Sequence, residues 1–164
     1  MIKQSLATFR KIQRDLGKKL LADHQLVCKV GAYKGSAVIK LQKANWTNDQ
    51  MNVVPNTSGI FFSVWVDEKF DRSGRISYNI HALKLRELKG YQIRRSTDLA
   101  ATFRARFGKV KAAWPNARVD YGPLTWMQGW IPATATVKQD VERLLAEFVR
   151  MHPIIDEVLD SAEV

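Results

Sequence analysis

Apolar residues fall at Ile2, Leu6, Phe9, Ile12, Leu16 and Leu20, and this spacing of three to four predicts a helix with one buried stripe running to Leu21. Lys3, Arg10, Arg14 and Lys18 take its other side. QLVCKVGAYKGSAVIKLQKANW reads as two strands around a turn at Gly31 to Gly35, since glycine supplies the positive φ that tight hairpins need. GIFFSVWV, Gly59 to Val66, is a third strand, and after a turn at Arg72 to Gly74 the alternation in RISYNIHALKL makes a fourth. STDLAATFRARFGKVKAAWP puts Leu99, Phe103, Phe107, Val110 and Trp114 on one helical face, with Ser96 or Thr97 as cap and Pro115 as stop. LTWMQGWIP is a fifth strand with Gly129 as a candidate bulge. Thr136 and Gln139 fit a capping box opening a last helix, which Pro153 should kink or restart.

The predicted order is α-β-β-β-β-α-β-α. Strands joined by short turns pair antiparallel, so the expected class is α+β: an antiparallel sheet of about five strands with helices packed on one face. At 164 residues the chain fits one domain, 1–164, and its 46% hydrophobic and 26% charged residues suit a folded globule. Asn48 to Ser58, rich in Asn and containing Pro55, reads as a surface loop.

With one cysteine, Cys28, no intrachain disulfide can form, and a reducing cytoplasm is the expected setting. The charged N-terminal segment lacks the apolar run of a secretory signal, and no stretch approaches the roughly 20 apolar residues of a membrane span. The expectation is a soluble, unprocessed chain with no membrane partner.

The formal net charge of +10 is unevenly placed. Residues 71–118 hold twelve basic and three acidic side chains, whereas 119–164 hold three basic and eight acidic. Such a field can recruit nucleic acid or an acidic protein, although an acidic C-terminal segment folding back would cancel part of it. Lys84, Arg86, Lys89, Arg94 and Arg95 flank a turn at Gly90, and Arg104 and Arg106 follow on the next helix. These are the candidate polyanion-binding residues, because phosphate contacts need charge more than geometry. The plainer alternative is that lysines at strand ends protect an edge and keep the chain soluble.

At VIKLQKANWTNDQ followed by GIFFSVWV, the chain resembles an uncharacterised bacterial family, domain-of-unknown-function 4304. Its members begin with a helix and a hairpin, then carry an apolar strand ending in a Q-K-x-x-W-like run and another apolar strand. Gln42, Lys43, Trp46 and the Ile60 to Val66 strand fit, as does a tryptophan-bearing strand before the last helix, at Trp126 or Trp130. The likeness covers the first half by motif and the rest by element order, and the basic helix around Phe103 departs from it. It implies no activity, so no catalytic residue is carried over.

Catalytic motifs are missing: there is no phosphate-binding glycine loop, no H-E-x-x-H, no C-x-x-C and no G-x-S-x-G. His24, His81 and His152 lack metal-ligand spacing, and no cofactor is implied. The element order is shared with restriction-nuclease-like cores, but Asp67 and Glu68 do not make the acidic-x-lysine pattern with Lys69 that such chemistry needs. The sequence therefore leans towards a non-enzymatic interaction domain.

A second candidate is geometric. With period two, Ile76, Tyr78, Ile80 and Ala82 share one face of the fourth strand, and Ser77, Asn79 and His81 the other. Matched with neighbouring strands, one face would present Lys40, Gln42, Trp65, Asn79 and His81, together with Phe61 and Ser63. Such a mixture could bind a small ligand, stack single-stranded nucleic acid or host hydrolysis; the plainer alternative is a solvated antiparallel face whose two aromatics are partly covered by a helix or a loop. His81 alone has no carboxylate or nucleophile spaced to orient it. Trp126 and Trp130, four apart in a strand, are expected on one face as core.

Overall fold

The computed structural model describes residues 2–54, 58–134 and 136–162. Five strands, β1 (Val27–Tyr33), β2 (Ser36–Gln42), β3 (Gly59–Val66), β4 (Arg75–Leu83) and β5 (Thr125–Pro132), form one antiparallel sheet in chain order. Helices α1 (Ile2–Asp15) and α2 (Lys18–Asp23) precede it, and the short α3 (Phe70–Ser73) joins β3 to β4. Helix α4 (Ser96–Phe107) lies between β4 and β5, and α5 (Val137–Met151) and α6 (Pro153–Asp160) follow. The α+β class and the alternation of elements stand as expected.

The register sorts residues by parity. Cys28, Leu41, Phe62, Ile80 and Met127 lie across neighbouring strands, as do Ile39, Val64, Tyr78 and Gly129. These apolar side chains join those of α1, α4, α5 and α6 in one buried core. At its centre Phe62 stacks on Phe148 of α5 at 4.3 Å between ring centroids and meets Trp114 edge-on at 5.7 Å. Cys28 belongs to this core, and burial pushes its thiol up to about 12, leaving it protonated and unreactive at neutral pH.

Local details differ from the pattern reading in three places. The first helix breaks at Gly17, whose ψ of 115° is not helical, so Leu20 projects into solvent instead of extending the stripe. Helix α4 begins after Arg95 without a side-chain cap and stops at Phe107; Trp114 reaches the core from a following 3₁₀ turn. The capping box at Thr136 is not formed. The buried Asp140 carboxylate instead accepts from the Thr134 N–H (2.7 Å) and hydroxyl, fixing the start of α5. Pro153, as expected, restarts a helix, since its missing N–H suits a first-turn position.

The bulge in β5 sits opposite Ile80 and His81, at Trp126, and not at Gly129. One extra residue there reverses parity, so the two tryptophans do not share a face. Trp126 stacks on Phe103 in the helix-side core, whereas Trp130, paired with Ser77, lies under the Arg75 guanidinium at 4.0 Å. Gly129 instead makes room for a ring. It pairs with Tyr78, and a Cβ there would run into the Tyr78 side chain, whose hydroxyl donates to the Pro115 carbonyl.

Candidate functional site

The face turned away from the helices carries a row of polar residues across all five strands: Lys29, Lys40, Ser63, Asn79 and Gln128. The loop cover of the plainer alternative is present, but the face is not solvated at its centre. Lys40, Ser63 and Asn79 are 1%, 6% and 4% exposed, and Gln42 is buried as well. Burial comes from the segment after β2, which turns back over the sheet and lays Val53 on Gly31. A Cβ at Gly31 would stand 2.8 Å from Val53 Cγ2, so a residue without a side chain lets the segment approach.

Between this segment and the β1–β2 hairpin lies a cavity of about 200 Å³. Trp65, Asn79 and His81, the three residues whose proximity the alternation implies, all line it. Phe61, Val38 and Val53 add apolar wall, and Tyr33, Lys34 and Ser36 form the hairpin side. Two of the candidate ligand-face residues do not line the cavity. Gln42 donates from Nε2 to the Ile60 carbonyl at 2.8 Å, and Lys40 holds its ammonium over the Phe61 ring, 4.0 Å from the centroid, and 3.4 Å from the Val54 carbonyl. Both lie outside the lining, engaged there by backbone carbonyls and a ring.

A directed hydrogen-bond chain runs through the polar lining. The Ser63 hydroxyl donates to Asn79 Oδ1 at 2.6 Å, and Asn79 Nδ2 stands 3.0 Å from His81 Nε2. With Oδ1 taken by the hydroxyl, the amide N–H donates to Nε2, which places the imidazole proton on Nδ1. Burial, and then the Lys40 charge, lowers the His81 pKa, so the ring is neutral at pH 7. Burial also lowers Lys40 to about 8. His81 has an amide partner where a general base would have an orienting carboxylate, and the arrangement offers binding groups more than a proton relay. Among the described residues no group of three or more His, Cys, Asp or Glu could hold a metal ion.

The basic ribbon is built differently. Leu85, Leu88 and Ile93 anchor the segment after β4 in the core, and the cations between them point outward. Asn48 clamps it by donating to the Glu87 carbonyl at 2.7 Å and accepting from the Lys89 N–H at 2.8 Å. Lys84, Arg86, Lys89, Arg94 and Arg95 are exposed, and none forms an ion pair among the described residues. Lys84, Arg86 and Arg94 border one shallow depression together with Glu87. Arg104 leaves the group: its guanidinium donates to the carbonyls of Tyr121, Gly122, Thr125 and Trp126, tying the approach to β5 onto α4. Arg106 is ion-paired with Glu157 of α6.

The motif residues Lys43 and Trp46 are structural here. Both bond Asp156 of α6, the indole N–H at 2.8 Å, which fastens the exit of β2 to the last helix. The sequence pattern alone did not reveal the hairpin side or which segment forms the cover. Val38 and Tyr33 share the parity of Lys40 and were open to the period-two argument, whereas nothing local marks Val53 as a lid over Gly31. No family model, curated protein or solved structure matches the chain. No helix among the described residues is long and apolar enough to cross a membrane.

Proposed function

We propose that this protein binds a small organic ligand in the cavity on the helix-free face of its sheet, without catalysing a reaction on it. The observation that carries this reading is the meeting of Trp65, Asn79 and His81 in one concave, mostly apolar site with a buried polar chain along its lining. Such a combination, apolar walls with few convergent polar groups, is what small-molecule sites share. At about 200 Å³ the cavity is smaller than the roughly 300–1,000 Å³ of drug-sized sites, so the ligand is a single ring system with few substituents. A fragment screen by thermal shift tests it. Ring fragments should raise the wild-type melting temperature and lose that effect in Trp65→Ala; a screen with no hits on folded protein would overturn the reading.

A second reading is supported by one specific observation, the five ribbon cations that form no ion pair among the described residues. They suit contact with a polyanion, nucleic acid foremost, and such affinity should fall steeply as salt rises. If nucleic acid does not bind even at low salt, an acidic protein partner is left, which pulldown with Arg94→Glu, Arg95→Glu would address.

A further inference from the structure

Resting on that small-ligand reading, we propose that the cavity selects an aromatic carboxylate: the ring packs against Trp65 and Phe61, and the negative group is drawn by the lysines around it. Three observations point the same way. The walls are aromatic and branched aliphatic, which favours a flat ring over a flexible chain. The charge in the cavity lining has one sign. Lys34 lines it, Lys40 sits on the ring of its wall residue Phe61, and no Asp or Glu is part of the lining. Glu68 comes close at Gly35 of the hairpin turn without joining that lining. A cationic ligand would meet Lys34 and no counter-charge in the lining, with the Lys40 ammonium on the Phe61 ring adding like charge nearby, whereas an anion gains from both.

The third observation is the direction of the polar chain. Because Ser63 donates to Asn79 and Asn79 donates to His81, the unspent members at its far end are N–H groups: the second Asn79 amide hydrogen and His81 Nδ1–H. Neither has a partner among the described residues. A carboxylate accepts from donors of this kind through charged oxygens, which makes the bonds stronger than those to a neutral hydroxyl, whereas an ammonium can only donate and does not match the lining.

Titration calorimetry at low salt and pH 7 would test this with benzoate and indole-3-carboxylate against their neutral amides, benzamide and indole-3-carboxamide. The acids should bind about tenfold more tightly than the amides or better. Lys34→Gln and Lys40→Met should each shrink that ratio, and Trp65→Ala should weaken acid and amide alike. The Arg94→Glu, Arg95→Glu variant should bind as wild type does. Equal affinity for acid and amide would overturn the carboxylate assignment while leaving the cavity as a ligand site. No binding of either class by protein with an intact near-ultraviolet dichroism spectrum would overturn both. Acid binding that survives Trp65→Ala but falls in the Arg94→Glu, Arg95→Glu variant would move the site to the basic ribbon and overturn both as well.

Discussion

The two faces of the sheet are buried to similar depth at their centres but by different means. On one, Ile39, Phe62, Tyr78 and Met127 are sealed by helices and by rings stacked at van der Waals distance. On the other, alternate residues of the same strands put Lys40, Ser63 and Asn79 out of water under a loop segment. Burying apolar area stabilises a fold, whereas burying an ammonium costs free energy that its partners must offset. The first face is thus explained by stability. The second does not follow from stability alone, and it is the face on which the proposed site lies.

Substitutions of opposite sign should separate the faces. Phe62→Ala should lower stability by about 3–5 kcal/mol, since it removes the ring at the centre of the helix-side core. A loss near zero in a urea melt would mean that the core is not organised around that stack. Lys40→Met should instead raise stability at pH 7 by up to roughly 3 kcal/mol, the cost implied by lowering a lysine from 10.5 to about 8. The sign follows from proton binding: between pH 8 and 10.5 the unfolded chain holds a proton on Lys40 that the folded one has lost. Stability contributed by this group therefore rises with pH across that window. Urea midpoints should climb from pH 8 to 10 in the wild type and stay flatter in the variant; a variant less stable than wild type at pH 7 would show that the Val54 carbonyl and the Phe61 ring more than offset the burial. The smallest contrast uses matched glycines. Gly129→Ala meets the buried Tyr78 ring and should cost about 1–3 kcal/mol, while Gly31→Ala meets the tip of Val53 on a loop and should cost less than that. Equal costs would mean that the loop cover is as tightly packed as the core.

Period-two alternation was enough to place Asn79 and His81 opposite Tyr78 and Ile80, and the same rule put Trp65 beside them. Their meeting was legible because strand geometry is local and the alternation runs unbroken through β3 and β4. Three features were not legible, each for a non-local reason. The Trp126 bulge changes parity within β5 and depends on pairing with β4. Arg104 looks like a surface cation until the carbonyls that engage it arrive from positions 17 to 22 residues away. Val53 carries no local sign that it will lie on Gly31, so the cover was legible only as an unspecified helix or loop and its depth was not.

The most direct test of the central claim is ¹⁵N NMR of the wild-type protein titrated with indole-3-carboxylate. The Trp65 indole N–H and the Asn79 side-chain amide should shift and saturate together, with little change at Trp46, Trp114, Arg94 or Arg95. Saturating shifts confined to Arg94, Arg95 and their neighbours, or no shifts at all at millimolar ligand, would contradict a ligand site on the helix-free face.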